Sequence, residues 1–145
     1  MSNSITFYNL ENEETNDFLY KFLSKIYSKK KKALVYFNEA EKRESLDTAL
    51  WTRKKLDFIP HLLNTDENVA ATPIAITSCL ENINNADFLI IDSYIDNAEF
   101  LQQFENIYYV ISFLQTDKSK GDYIKYKKDY TLNVFKKEDG DWKKQ

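Results

Sequence analysis

The sequence predicts an α/β protein: a three-layer sandwich with a Rossmann-like, mainly parallel sheet and no nucleotide-binding loop. Continuous apolar runs such as Ala33–Phe37 (ALVYF) and Phe88–Ile91 (FLII) have the character of strands buried on both faces. These runs alternate with stretches of helical periodicity over short connections, the signature of a parallel sheet covered by helices. The chain has only two glycines, Gly121 and Gly140. A phosphate cradle needs several closely spaced glycines so that backbone N–H groups can approach the ligand.

Each element follows from local pattern. Ile5–Leu10 (ITFYNL) reads as a first strand. Thr15, Asn16 and Asp17 offer N-cap chemistry to a helix whose apolar positions are Phe18, Leu19, Phe22, Leu23, Ile26 and Tyr27. That helix stops in the run Lys29–Lys32, where cations suit a helix C-terminus. Ala33–Phe37 is the second strand, and Asn38 can cap a helix running through Leu50. Phe58–Leu62 is extended, because Ile59 precedes Pro60 and is pushed out of the helical region. Asn64–Thr72 is a polar loop, and Pro73–Thr77 is the third strand. Asn82–Asn85 turns the chain into Phe88–Ile91, the strongest buried strand. Asp96 or Asn97 caps a helix through Phe104, and Ile107–Phe113 is a fifth strand. A last helix, Ser119–Asp129, leads to an edge strand at Leu132–Phe135.

Composition narrows the function. With 145 residues, 43% of them apolar, the chain can bury one core and is read as a single domain. Ten Phe, ten Tyr and two Trp argue against disorder. No apolar run approaches the roughly 20 residues of a membrane span, and MSNSITFYNL lacks the pattern of a secretory signal. The one cysteine, Cys79, excludes an internal disulfide and fits a reducing, cytoplasmic setting. A single His and a single Cys remove the common zinc sites, so neither metal nor cofactor is expected. The net charge of −3 is unevenly placed. From Lys118 to the end, nine Lys face five Asp and Glu, while the other 117 residues hold 11 basic and 18 acidic groups. An acidic body with a basic end suits an acidic partner met at that end, or simply carries a solvated lysine-rich tail.

The candidate residues fall into two groups and three isolated positions. The tract Leu46–Leu63 (LDTALWTRKKLDFIPHLL) places large apolar groups, Trp51 and Phe58, where they either seal a helix–sheet junction or anchor a partner. The run Lys118–Lys128 (KSKGDYIKYKK) interleaves lysines with tyrosines. On a helix, Lys125 and Lys128 share one face, and Tyr123, Tyr126 and Tyr130 share another that would pack on the sheet. His61 could serve as a base, but no supporting Ser or Cys motif accompanies it, so a structural or interface role is the better reading. Cys79 reads as a small core residue. Asp92, at the end of the FLII strand, is the best candidate carboxylate for an enzyme, yet an isolated Asp at a strand end is far more often a helix cap or loop anchor.

In order, ITFYNL, LDTALW followed by FIPH, TPIAI, DFLIID and the late pair Phe135 and Trp142 make a set. The chain resembles the chi subunit of the bacterial DNA polymerase III holoenzyme along nearly its whole length. The most specific match is LDxALW with F-[IV]-P-H. The resemblance implies a Rossmann-like fold without catalysis, seated in the clamp-loader complex beside a small subunit called psi. It also implies binding to the acidic C-terminal tail of single-stranded-DNA-binding protein, so that DNA is met only indirectly. Carried over by position, the psi-contacting surface is Trp51, Phe58, Ile59, Pro60 and His61. The tail site involves Lys120 and Lys128. A basic position of the family falls on Ile124, a departure for which Lys125 or Lys127 would supply the charge. A second class of function is direct binding of single-stranded nucleic acid, with the same lysines on phosphates and Tyr123, Tyr126 or Tyr130 as stacking platforms.

Overall fold

The computed structural model of the chain describes residues 4–10, 14–52, 61–63, 72–111, 116–138 and 141–144. The strands are β1 (Ser4–Asn9), β2 (Ala33–Tyr36), β3 (His61–Leu63), β4 (Ile74–Thr77), β5 (Phe88–Ile91), β6 (Asn106–Ile111), β7 (Thr131–Glu138) and β8 (Asp141–Lys144). The helices are α1 (Thr15–Ser28), α2 (Ala40–Thr52), α3 (Ala98–Leu101) and α4 (Thr116–Lys127). They build one eight-stranded sheet in the order β3-β4-β2-β5-β6-β1-β7-β8. Every pairing is parallel except the terminal β7–β8 pair. The fold is the expected α/β sandwich.

Period-two alternation splits the apolar residues between two cores. Ile5, Phe7, Leu34, Leu89, Ile107 and Tyr109 point to one face, which α3 and α4 cover with Phe100, Leu101 and Tyr126. Val35, Ile74, Ile76, Ile90 and Val110 point to the other, which α1 and α2 cover with Phe18, Leu19, Leu23, Leu46 and Leu50. Each buried Leu or Ile of this kind contributes roughly 1.5–3 kcal/mol of transfer free energy.

Several ends differ from the expectation. Helix α1 is capped by Glu14, whose carboxylate accepts the N–H groups of Asn16 (3.1 Å) and Asp17 (3.2 Å). Asn16 instead donates to Ser45 Oγ across to α2 (2.7 Å). The helix closes with Lys30 in the left-handed region (φ 59°) and the Lys31 N–H returning to Ile26 O, a Schellman-type end that usually takes glycine. At α2 the Glu39 carbonyl accepts from Lys42 and Arg43, which puts the cap at Glu39 rather than Asn38. Asn97 caps α3, yet that helix ends at Leu101, three residues short of Phe104. The turn before β5 is as expected: Asn85 is left-handed (φ 52°), and Asn82 Oδ1 accepts the Ala86 N–H (2.7 Å).

Strand β7 is not an edge. It lies between β1 and the added strand β8, which the charged, Trp-containing DWKK sequence hides from pattern reading. Among the described residues the edges are β8 and β3, the latter overlapping the segment expected to be merely extended.

Candidate functional site

Helix α4 runs Thr116–Lys127, three residues earlier at its start than the lysine–tyrosine pattern suggests. Asp117 sits in its first turn, and Lys125 and Lys127 in its last, each with the sign the helix dipole favours. Its tyrosines pack inward as expected. Tyr126 is buried, while Tyr123 and Tyr130 are half-buried against the same core. The Tyr126 hydroxyl donates to Ser93 O (3.0 Å) and accepts the Ile95 N–H (2.8 Å), tying α4 to the chain after β5. Burial holds its pKa well above the usual tyrosine value, although the Ile95 N–H works in the opposite direction. Tyr109, stacked on Phe7 at 4.6 Å, donates to the buried Asp122 carboxylate (2.5 Å). Its hydroxyl is raised still further, by burial first and then by that carboxylate.

Beside this anchored helix lies a cavity of about 430 Å³. The sheet contributes Phe7 and Asn9 from β1, Ile111 from β6 and Val134 from β7; α4 contributes Ser119, Lys120, Tyr123 and Ile124. The walls are mainly apolar, with Asn9 and Ser119 as polar groups, and among the described residues that line it the one ammonium is that of Lys120. Ile124 is 63% exposed, far more than an isoleucine that serves only the core. Its exposed side chain extends the apolar lip of the slot. Lys120, Lys125, Lys127 and Lys128 are all exposed. They do not form one group, however. Lys125 turns away from the cavity and lies 5.3 Å from the centre of the Tyr94 ring, a cation–π contact. At helical spacing Lys127 follows Lys120 and Ile124 on the cavity stripe, and Lys128 lies just beyond the helix end. Sequence reasoning missed Phe7, Ile111 and Val134. Their signal, same-face positions on neighbouring strands, has no meaning until the strand order is known.

The second predicted group sits at the far edge of the sheet. Trp51 belongs to the last turn of α2, and His61 opens β3, opposite Ile74 of β4. Phe58, Ile59 and Pro60, and the side chains of Trp51 and His61, lie outside the described residues. Cys79 is not a core residue: the chain leaves the sheet after Thr77, and Cys79 is exposed, with its N–H on Thr77 Oγ1 (2.9 Å).

Asp92 is buried at the carboxyl end of β5, where ligands of open α/β sheets bind. A crevice of about 330 Å³ opens there, lined by Glu14, Glu39, Glu41 and Asp92, with Lys42 as the one cation among the described residues that line it. Lys42 is already committed, at 2.5 Å to Asp92 and 3.6 Å to Glu39. Four carboxylates around one paired lysine repel a phosphate, so the place where this fold holds nucleotides is electrostatically unsuited to them. No helix among the described residues is long and apolar enough to cross a membrane.

Residues 1–132 match the family described as DNA polymerase III chi subunit, HolC. The chain is also similar to the probable DNA polymerase III subunit chi of Rickettsia prowazekii (strain Madrid E), 35% identical over 100 residues. That match covers 69% of this chain and 61% of the relative, so it spans about three fifths of the relative's length.

Proposed function

The chain belongs to the family of DNA polymerase III chi subunits, and from that premise we propose that it is a non-catalytic connector with two separate docking surfaces. One is the cavity beside α4, which takes the acidic C-terminal tail of single-stranded-DNA-binding protein. The other is the Trp51–His61 edge, which takes a psi-type subunit of the clamp-loader assembly. The observation that carries this reading is the apolar slot with Lys120 at its mouth. A tail ending in acidic residues and an aromatic side chain needs an apolar pocket for the ring and cations for its carboxylates. Phe7, Tyr123 and Ile124 offer the first, and Lys120 and Lys127 the second.

Exposed ion pairs contribute on the order of 0–1 kcal/mol each, so the ring supplies most of the affinity and the charges are sensitive to salt. Screening acts over about 8 Å at physiological ionic strength. Binding of this kind is modest and reversible, and several tails on one coated strand raise it through local concentration. At the opposite edge, β3 pairs on one side only among the described residues. Edge strands of this kind take a partner through backbone hydrogen bonds, with aromatic anchors carrying most of the energy.

Isothermal titration with a synthetic acidic peptide ending in Phe tests the tail site. We expect binding that weakens as salt rises and is lost when the terminal Phe is replaced by Ala. A peptide that binds equally well without its Phe would remove the cavity from the account.

A further inference from the structure

The other face of the sheet carries a second, differently built cavity. It has a volume of about 440 Å³ and opens between α1 and strands β1, β6 and β8. Its floor is aromatic: Tyr8, Phe22, Tyr108 and Trp142 are each only half-buried. Phe22 meets Tyr108 edge-on at 4.8 Å, and Trp142 meets Tyr8 in the same way at 5.2 Å. These rings are fixed by one another and still present surface to the cavity. Along its rim run Lys21 and Lys25 of α1 and its C-cap residue Lys29, all exposed, all lining it and four residues apart. That spacing steps the ammoniums by about 6 Å along the helix. No carboxylate is among the described residues that line the cavity, although the protein as a whole is acidic.

We propose that this crevice binds single-stranded nucleic acid, with bases against the aromatic floor and successive phosphates on Lys21, Lys25 and Lys29. Every base has a π-face, so stacking is tolerant of sequence, and a lysine stripe tracks a phosphate backbone. An acidic peptide would satisfy the lysines but leave the rings without flat partners, which is why the strand is the better occupant. The floor itself adds no charge at working pH, since burial and the neighbouring Tyr8 push the Tyr108 hydroxyl up to about 12. The site is distinct from the α4 cavity in face, residues and ligand. It also relocates the expected stacking platforms: Tyr126 is buried, and Tyr123 and Tyr130 pack with it on the α4 face.

Fluorescence anisotropy of a labelled oligothymidylate of about 12 nucleotides, titrated with the full chain alone, tests the proposal. Saturable binding is expected, weakening about twentyfold between 50 and 200 mM salt if three phosphates are neutralised. Reversing Lys21, Lys25 and Lys29 to Glu should cost at least about tenfold. Phe22→Leu, with the lysines intact, should cost at least about fivefold from lost stacking. Thermal melting verifies that both variants are folded; if the triple reversal is not, Lys25→Gln with Lys29→Gln takes its place. No binding at 50 mM salt overturns the proposal, as does binding indifferent to these variants. A neutral Phe22→Leu with full competition by polyglutamate gives the crevice to an acidic peptide instead. Loss on Lys120→Glu alone would put the strand on the α4 face.

Discussion

Neighbouring residues of one strand, Tyr108 and Tyr109 of β6, point to opposite faces of the sheet and show how differently the two faces treat the same ingredients. On the α4 face, Tyr109 is driven fully inward and bonded to Asp122, Tyr126 is clamped to Ser93 and Ile95, and the lysines are left outside around an apolar slot. On the α1 face, Tyr108 is half-buried among rings that still line an open crevice beneath a lysine stripe. Lysine and tyrosine in alternation therefore do not define a binding mode. What matters is which of the two the core consumes. Where the rings are consumed, an apolar slot with a cation remains, suited to a peptide end; where they are not, a stacking floor remains.

The comparison can be broken at its strongest point first. Tyr109→Phe leaves the Asp122 carboxylate buried without its donor and should destabilise the protein by about 2 kcal/mol, measured by urea unfolding. A change near zero would mean that the tyrosines do not anchor α4. Next, Lys120→Glu should weaken the acidic peptide about tenfold, through a lost attraction and a new repulsion. Lys125→Glu, on the Tyr94 side, should change the same binding less than about twofold. Equal losses in the two variants would show that the lysines act as a diffuse field and not as a rim. Smallest at neutral pH is Tyr108→Phe. The Tyr108 hydroxyl is raised from 10.0 to about 12 in the folded chain, so its protonated form contributes stability that is complete below pH 10 and lost as pH rises through about 12. The variant should therefore show a shallower alkaline fall in unfolding free energy over that window, with little change at pH 7.

How far the sequence reached follows the same division. The parallel strands were legible because ALVY, FLII and the TPIAI run are apolar without interruption, a pattern that a two-sided burial imposes. The inward turn of the α4 tyrosines was legible from helical spacing alone. The edges were not: β8 reads DWKK, and β3 is three residues long, so neither carries an apolar period. The Glu14 cap was missed because Thr, Asn and Asp stand directly after it and are stronger cap formers. Cys79 was placed in the core on residue type, whereas the chain's exit after Thr77 decides its exposure. The lysine group divides in the structure, Lys120 lining the α4 cavity and Lys125 lying over Tyr94; a helical wheel separates the two but cannot show that Tyr94 waits beneath the latter. Both cavities draw residues from strands distant in sequence, and no local pattern reports a strand order.

On the proposed function, two surfaces at separate places on one sheet serve two partners independently. A three-component titration separates them: the chain, a psi-type subunit and the acidic Phe-ending peptide, followed by calorimetry with Trp51→Ala and Lys120→Glu in parallel. The peptide should bind equally well with and without the subunit. Trp51→Ala should lose the subunit and keep the peptide, while Lys120→Glu does the reverse. Competition between the two ligands, or loss of both in a folded single variant, would contradict it.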